Sequence, residues 1–384
     1  MVKTRVLILV GFLVMLAGCG FMSRTERANP DVLQISAGKL GEGVSLVQAG
    51  GTLVAVYSDW DTTGLYEVEI PESDHLPSVS PSPRLIDRID MTPPLSASFG
   101  EHTAIARGNT VTVLYLARAA EDKMILKIAS HDPGAQAWIL DAIEPPGTPL
   151  ALLPAEGDRL DLFWAAGSLL HMSYPQSAQP DTLLDPFAPG DRAGAFAAVA
   201  GRGITVYDSL SHALLAFRWN GYAFQQAKIN GAGPINSSLL LEDGRLAVLS
   251  WDPATRRLEL REMRPDEAAV APTLVTMSEG TTAVSLLPLA SNAAPGAGAA
   301  GERGDRLLFL YDDARRLGGG KSLHELSLLA PGSGWGPAGR MYRRIILLSG
   351  TEPIMGFSAV ETADSLYVLV HQDGLKLLKL RLPG

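Results

Sequence analysis

Acidic and aromatic side chains recur together where several apolar segments of the sequence end. Carboxylates beside aromatic rings at such positions predict a rim that binds a ligand or a protein partner. The candidate rim residues are Asp59, Trp60, Asp208, Trp251, Asp252 and Asp312. The same pattern also has a structural interpretation, in which the rings pack inside the fold and the aspartates start turns. Recurrence at equivalent positions of a repeat favours packing for any single pair.

The other residues that could carry chemistry do not form a metal or catalytic motif. The 7 histidines show no ligand spacing such as His-x-x-x-His. Asp59 and Asp61 flank Trp60, but the further spaced oxygen ligands of a calcium loop do not follow. No nucleophile–base pair or phosphate-binding loop stands out. The sequence therefore predicts no metal, no cofactor and a non-enzymatic role.

Cys19 is the single cysteine of the chain, and it follows an amino-terminal segment of recognisable design. Lys3 and Arg5 precede the apolar residues 6–15, which is the order of a secretory signal. Leu16-Ala17-Gly18-Cys19 resembles the lipobox of bacterial lipoproteins. The resemblance implies cleavage after residue 18, a lipid on the Cys19 sulfur and usually a further acyl chain on the new amino terminus. Two or more chains give stable membrane anchoring.

The residue after the cysteine and the net charge indicate where such a protein would lie. Gly20 stands where an aspartate would indicate retention at the inner membrane in enterobacteria, so the resemblance implies the outer membrane and leaves open whether the protein faces the periplasm or the exterior. Loss of residues 1–18 removes two positive charges, Lys3 and Arg5, and changes the formal net charge from −9 to −11. An acidic chain without a basic cluster is a poor partner for nucleic acid or anionic lipid.

A pattern of short β-rich runs repeats seven times along the chain. Each copy contains an apolar run, which is preceded by another strand and followed by a third and, in most copies, a fourth. The apolar runs are LVAVYSD from 53, VTVLYLA from 111, LDLFWAA from 160, ITVYDSL from 204, LAVLSWD from 246, LLFLYDD from 307 and LYVLVHQ from 366. Gly50-Gly51 and Asp243-Gly244 are typical hairpin turns. Seven four-stranded units predict an all-β chain folded as a seven-bladed β-propeller.

The two ends of the chain complement each other in this arrangement. The seventh copy lacks a fourth strand, and the segment DVLQIS at 31–36 has the required pattern. Pairing in the last blade would close the ring and leave no open sheet edge. Residues 19–30 are then a tether and residues 31–384 one domain. A pair of β-sandwiches would need a central linker, which the sequence lacks; the small-residue stretch 290–304 is predicted to be a surface loop within the sixth copy.

One turn carries a motif of a known propeller family. It comprises Ser130, Asp132, Gly134 and Trp138. These residues resemble the Asp-box, or BNR repeat, of sialidase-type propellers, Ser-x-Asp-x-Gly-x-x-Trp, with one additional residue before the tryptophan. In that family the motif has a structural role, because it stabilises the turn between the third and fourth strands. The resemblance therefore supports the fold and implies no activity.

Sialidase chemistry would require further residues. An enzyme of that family needs three arginines around the substrate carboxylate, a tyrosine activated by a glutamate, and an acid/base aspartate. The family's early Phe-Arg-Ile-Pro stretch is absent here. Arg107, Arg202 and Arg306 are available, but the repeat places them at first hairpins, on the face opposite a catalytic site. A fold alone does not imply its relatives' reaction.

The sequence as a whole predicts an extracytoplasmic lipoprotein of the bacterial cell envelope. Its propeller would act as a non-enzymatic binding or scaffolding module for an envelope protein or a glycan, with the membrane engaged through Cys19. The alternative is a sialidase-like or other glycan hydrolase with carboxylates in the funnel. Converging carboxylates in a large cleft would favour the enzyme. An apolar or flat charged face would favour a protein partner.

Overall fold

The computed structural model is built of β-strands, and the part of the chain that it describes contains no helix. Accordingly, no helix in that part has the length and apolar character needed to span a bilayer. The residues described are 25–381 apart from 90–101, 119–123, 136, 157–158, 176–178, 199–200, 241–244, 264–272, 277–286, 291–306, 318–321, 337–338 and 363. Cys19, the turn Asp243-Gly244, Arg306 and most of the small-residue stretch 290–304 therefore lie outside the described residues.

Twenty-nine strands form seven sheets in the described part of the chain. In chain order they are β1 (Thr25–Arg27), β2 (Asp31–Ser36), β3 (Leu40–Ala49), β4 (Thr52–Asp59), β5 (Gly64–Pro71), β6 (Arg84–Arg88), β7 (His102–Arg107), β8 (Thr110–Arg118), β9 (Met124–His131), β10 (Ile139–Ile143), β11 (Thr148–Pro154), β12 (Leu160–Ala165), β13 (Leu169–Tyr174), β14 (Asp181–Leu184), β15 (Pro189–Ala198), β16 (Gly201–Asp208), β17 (Ala213–Trp219), β18 (Phe224–Ile229), β19 (Ile235–Leu240), β20 (Leu246–Asp252), β21 (Arg257–Met263), β22 (Thr273–Thr276), β23 (Leu287–Ala290), β24 (Leu307–Arg316), β25 (Ser322–Gly336), β26 (Gly339–Gly350), β27 (Gly356–Glu361), β28 (Ser365–His371) and β29 (Leu375–Arg381).

Each sheet is one blade of a seven-bladed propeller, as the repeat predicts. Blades 1 to 6 are built of four successive strands, starting with β3, β7, β11, β15, β19 and β23. The first strand of every blade contacts the first strand of the next blade, and β27 of blade 7 contacts β3 of blade 1. These seven strands therefore line the centre of a closed ring.

The predicted closure of the ring is confirmed. Strand β2 pairs antiparallel with β29, from Asp31 opposite Lys379 to Ser36 opposite Leu375. It supplies the fourth strand of blade 7, whose other three strands come from the carboxyl-terminal end of the chain. The ring is thus closed by hydrogen bonds between residues more than 300 positions apart in sequence.

The hydrophobic core lies between the blades. The described residues form seven apolar clusters, and each cluster joins two adjacent blades. In β4, Leu53 and Ala55 pack against blade 7 whereas Val54 and Val56 pack against blade 2. Because both faces of the sheet are covered, the second strands are continuous apolar runs. Their aromatic residues, such as Tyr57 and Trp251, are buried in these clusters.

The two faces of the ring carry different turns. The lower face carries the hairpins that join first to second and third to fourth strands. The upper face carries the hairpins that join second to third strands and the loops between blades. The tight turn at Gly50 and Gly51 lies on the lower face, where both glycines have positive φ (56° and 79°). Glycine adopts this left-handed conformation without steric cost.

A short strand before β2 adds a fifth strand to blade 6. Strand β1 pairs in parallel with β26, with Thr25 opposite Arg344 and Arg27 opposite Ile346. The Ala28 N–H donates to the Ile346 carbonyl at 2.9 Å, which extends this pairing by one bond. The segment predicted to be a tether therefore includes a strand that is attached to the outer edge of the propeller.

Candidate functional site

The turn that resembles an Asp-box joins the third and fourth strands of blade 2. Ser130 lies in β9 and Trp138 directly precedes β10. Gly134 has a φ of +85°, which glycine tolerates best. The Asp132 carboxylate accepts a hydrogen bond from the Thr110 hydroxyl at 2.7 Å, and its carbonyl accepts one from the Ala135 N–H at 2.9 Å. These bonds hold the turn against the neighbouring strand β8.

A group of charged residues, here termed the charge cluster, lies beside this turn. It comprises Glu67 and Glu69 of β5, Arg84 of β6 and His131 of β9. Glu67 and Glu69 are two residues apart in a strand and so share one face. Arg84 forms ion pairs with both carboxylates, at 2.7 Å from Nη2 to Glu69 Oε1, and its Nη2 lies 2.6 Å from His131 Nε2. The cluster thus connects blade 1 to blade 2.

The charge cluster also binds the turn itself. The Gly134 N–H donates to Glu69, at 3.1 Å to Oε1, and the Trp138 indole N–H donates to Glu67 Oε1 at 2.9 Å. The guanidinium of Arg84 donates to the Ala135 carbonyl. These contacts attach the Asp-box turn of blade 2 to the outer strands of blade 1.

His131 lies between a cationic and an anionic partner. Its Nε2 is 2.6 Å from Arg84 Nη2 and 3.1 Å from Glu69 Oε1. Nδ1 is buried and has no hydrogen-bond partner, and the same is true of Glu67 Oε2. An unsatisfied buried polar atom is costly. These two unsatisfied atoms therefore reduce the stability that the charged contacts of the cluster provide.

The donor set of the charge cluster suggests a metal site, but Arg84 occupies it. Glu67, Glu69 and His131 offer ligand atoms that all lie within 4.8 Å of one another. The Arg84 guanidinium contacts all three groups and supplies the positive charge that a metal ion would bring. The side chains of Glu67 and His131 are 0% exposed, so a sugar substrate cannot reach them. The charge cluster therefore links blade 1 to blade 2, and we call it the first clamp.

A second clamp joins blades 3 and 4. Asp161 of β12 accepts hydrogen bonds from Ser173 Oγ at 2.9 Å and interacts with His171 Nε2 at 3.0 Å. Arg202 of β16 forms an ion pair with the same carboxylate. Burial alone raises the pKa of Asp161, but the bonds and charges of His171, Ser173 and Arg202 outweigh it and lower the pKa below the usual range. Arg202 also stacks on Trp219, with 4.7 Å between guanidinium carbon and ring centroid.

Three of the predicted rim aspartates start turns on the upper face. Asp59 Oδ1 accepts the Asp61 N–H at 2.8 Å, and Asp252 Oδ1 accepts the Ala254 N–H at 2.9 Å. Asp208 accepts the Ser211 hydroxyl and three backbone N–H groups; burial alone raises its pKa, but these bonds lower it overall. Each turn has a left-handed residue four positions later: Thr63, His212 and Arg256, with φ of 51°, 50° and 53°. The aspartates therefore stabilise the same hairpin conformation in three blades.

The structure does not bring the six predicted rim residues together on one exposed surface. Trp60 is 51% exposed, whereas Asp208, Trp251 and Asp312 are buried. Trp251 packs between blades 5 and 6. Asp312 lies inside β24, opposite Leu326, because this strand continues to Arg316 before its hairpin begins.

The upper face instead exposes large apolar side chains in its loops. We term these residues the upper apolar rim: Trp60, Leu210, Leu317 and Met355. Leu317 follows β24 of blade 6, Met355 lies in the loop to blade 7 and Trp60 lies in the hairpin of blade 1, so these three occupy successive blades. The Trp60 N–H donates to the Lys39 carbonyl and the Met355 N–H to the His371 carbonyl, both at 2.9 Å. The backbone at Trp60 and Met355 is thus held in place.

The innermost strands hold few acidic residues that could form a catalytic funnel. They are Glu42 in β3, Asp191 in β15 and Glu361 in β27. Glu42 and Asp191 belong to blades 1 and 4, and Glu361 ends its strand at the lower face. A glycosidase needs two carboxyl groups at roughly 5–10 Å across one sugar.

Sequence reasoning missed both clamps and most of the upper apolar rim. The signal for the first clamp was the alternation in Tyr66-Glu67-Val68-Glu69-Ile70, which placed two carboxylates on one side of a strand. Arg84 lies in the next strand of the same blade, and His131 lies in the next blade. No sequence pattern links either residue to the two glutamates. The signal for the rim was an apolar residue in a turn, as at Leu210 and Leu317.

Comparisons with known proteins support the fold. No protein-family model and no curated protein matches the sequence. The chain is similar to the solved structure "YCF48 bound to D1 peptide", with 10% identity, a TM-score of 0.54 and coverage of 93% of this chain and 98% of that chain. YCF48 from Cyanidioschyzon merolae gives 10% identity, coverage of 91% and 98%, and a TM-score of 0.49. A Bacteroides ovatus GH43B structure gives 9% identity, coverage of 91% and 92%, and a TM-score of 0.37. At such low identity these similarities concern the β-propeller fold alone.

Proposed function

We propose that the protein is a lipid-anchored, non-enzymatic propeller of the bacterial envelope that binds a protein partner through the upper apolar rim. The observation that carries this proposal is the exposure of Trp60, Leu317 and Met355 on successive blades of one face. A contiguous exposed apolar patch marks a protein-interaction site, and the proposal is that these three side chains belong to one such patch. Tryptophan and methionine are also enriched at protein interfaces.

The hydrogen bonding of the upper face supports a binding role. Asp59, Asp208 and Asp252 direct their carboxylates into their own turns, and this holds the loops in one conformation. Loops that are ordered before binding lose less conformational entropy when the partner docks. YCF48, a propeller of similar overall fold, has been solved with a D1 peptide bound, which is a precedent for a protein ligand.

The lipid anchor is supported by the sequence. Cys19 follows a signal segment and stands at the end of Leu16-Ala17-Gly18-Cys19, the stretch that resembles a lipobox. The tether between Cys19 and the first strand residue Thr25 is short. The propeller would therefore remain close to the membrane surface, within reach of other envelope proteins.

Glycan hydrolysis is the alternative function and has less support. A hydrolase would need two carboxyl groups that reach the same sugar. Glu67 and Glu69 lie close together, but Arg84 pairs with both and the Glu67 side chain is buried.

The test is recovery of the lipidated protein from its native membrane, followed by mass spectrometry of whatever remains bound. The proposal predicts a stoichiometric envelope protein and an amino-terminal peptide whose mass includes a lipid on Cys19. Release of sugar from a panel of envelope glycans, without a protein partner, would contradict the binding role. A Cys19 peptide without lipid would contradict the anchor.

A further inference from the structure

The loop between β5 and β6 is longer than the fold of a blade requires. It comprises residues 72–83, twelve positions, on the lower face of blade 1. The equivalent connections of blades 2 and 4 are residues 132–138 and 220–223, which are seven and four positions. Loops of about twelve residues without secondary structure are uncommon in compact domains and usually have a function. The hairpin of blade 1 could close with fewer residues, so the additional length is available for such a function.

Both ends of this loop are attached to the propeller. The Lys379 ammonium of blade 7 donates to the Asp74 carbonyl at 2.9 Å and also to the Ser73 carbonyl. Leu76 packs against the apolar cluster that joins blades 7 and 1. At the other end, Arg84 belongs to the first clamp. The part of the loop between Leu76 and Arg84 is therefore held at two fixed points.

This part, residues 77–83, is here termed the serine–proline segment. It reads PSVSPSP, without a charged or aromatic residue, and none of its seven residues is buried. Proline fixes its own φ and disfavours the helical conformation of the residue before it, so the segment stays extended. The Ser80 hydroxyl donates to the Pro81 carbonyl at 3.2 Å, whereas Ser78 and Ser82 are exposed. The segment thus presents two serine hydroxyls to solvent on an extended backbone.

We propose that the serine–proline segment is a site of O-glycosylation, with Ser78 and Ser82 as the acceptors. The serine oxygen attacks the anomeric carbon of a sugar carried on a nucleotide or lipid phosphate. The hydroxyl loses its proton, and the bond between the anomeric carbon and the phosphate oxygen breaks. Segments rich in serine and proline are typical of O-glycosylated regions. An extended segment without buried side chains can enter a transferase while the propeller remains folded.

The modification would add a further property to the proposed binding role. A glycan on this loop would cover the lower side of blade 1 and leave the upper apolar rim free for the protein partner. The inference does not depend on the lipid of Cys19, because the acceptors belong to the folded domain.

Two other exposed serines provide an internal comparison. Ser209 and Ser211 lie in the upper-face hairpin of blade 4. The Ser209 hydroxyl donates to the Pro189 carbonyl at 3.2 Å, and the Ser211 hydroxyl donates to the Asp208 carboxylate. A hydroxyl that is bound within a tight turn is less accessible to a transferase than one on an extended loop. We therefore expect these two serines to remain unmodified.

Mass spectrometry of the protein recovered from its native membrane tests the assignment. Trypsin cleaves after lysine and arginine, so residues 40–84 and 203–218 are released as single peptides. We expect sugar mass on the first peptide, located at Ser78 and Ser82 by electron-transfer fragmentation, and none on the second. An unmodified first peptide, phosphate in place of sugar, or equal modification of both peptides would overturn the proposal.

Paired variants test the acceptors themselves. Ser78→Ala/Ser82→Ala changes exposed loop positions and should remove the sugar from the intact protein. Ser209→Ala/Ser211→Ala is the matched control and should retain it. Retention of the full sugar mass by the first variant would reject these acceptors. The amino-terminal peptide of the same digest reports on the lipid of Cys19, so failure of the anchor and failure of the glycosylation are distinguishable.

Discussion

Buried charges in this protein join neighbouring blades, in addition to the apolar clusters between them. Arg84 is the central residue of the charge cluster, since it contacts Glu67, Glu69 and His131 at once. Glu67 has no exposure to solvent, so its charge is stabilised only by its protein partners. A buried ion pair need not add stability relative to an apolar pair, but loss of one partner is strongly destabilising.

Replacement of Arg84 should expose this dependence. We expect Arg84→Met to lower the free energy of unfolding by about 3–5 kcal/mol, because it removes the cation that pairs with the buried Glu67 carboxylate. The measurement is urea unfolding at neutral pH. Arg159→Met is the matched control, since Arg159 faces the largely exposed Glu156 at 3.6 Å, and surface pairs contribute about 0–1 kcal/mol. An equal, small effect of both variants would contradict the clamp.

His102 predicts a pH dependence of stability. It is buried at the start of β7, and its Nε2 lies 3.1 Å from the Val56 carbonyl of blade 1. Burial lowers its pKa to about 4, although the bond to Val56 opposes this shift. The unfolded chain therefore binds one more proton than the folded chain between about pH 6.5 and 4. Stability should be intact above about pH 6.5 and fall by up to about 3 kcal/mol as the pH decreases to 4.

The variant His102→Gln isolates this contribution. Glutamine can still donate to the Val56 carbonyl but does not titrate, so the loss of stability between pH 6.5 and 4 should be smaller than in the wild type. Urea unfolding at several pH values measures it, and His75→Gln, at an exposed histidine, is the control. A pH profile of His102→Gln identical to that of the wild type would be inconsistent with this account.

The ring closure by β2 is the element on which the architecture depends. Leu33 and Ile35 pack into the cluster that joins blades 7 and 1, whereas Val32, on the other side of the strand, is 54% exposed. Burial of alternate residues is what a strand of period two requires. The closure thus combines hydrogen bonds to β29 with apolar contacts to two blades.

Two substitutions in this strand separate these contributions. Leu33→Ala should destabilise the propeller by about 2–5 kcal/mol, the usual cost of a large-to-small change in a core. Val32→Ala in the same strand keeps the hydrogen bonds and should cost well under about 1 kcal/mol. Thermal or urea unfolding compares them. Equal effects would show that the strand does not close the ring as described.

The strands could be predicted from the sequence far better than the charged contacts. The second strands are apolar runs whose side chains point alternately to the two neighbouring blades. DVLQIS has the pattern of the fourth strand that the last repeat lacks, and it pairs with β29. The position of Glu67 could not be predicted in this way, because both faces of β5 are covered and alternation no longer separates core from solvent. The length of β24 was also underestimated, and for this reason Asp312 lies within a strand.

At the scale of the whole molecule, the two faces of the ring have different roles in this account. The lower face carries the Asp-box turn, and strand β1 enters blade 6 from this side. The upper face carries Trp60, Leu317 and Met355 on successive blades. The proposed protein partner would dock on the upper face, against these apolar side chains.

The measurement that tests the central claim most directly is quantitative recovery of bound partners from native membranes with three forms of the protein. They are the wild type, the rim variant Trp60→Ala/Met355→Ala, and Tyr222→Ala, which removes a 92% exposed tyrosine from the lower face. We predict equal recovery of one envelope protein by the wild type and Tyr222→Ala, and a loss of roughly tenfold or more in the rim variant. Undiminished recovery by the rim variant would contradict the claim that this face binds the partner.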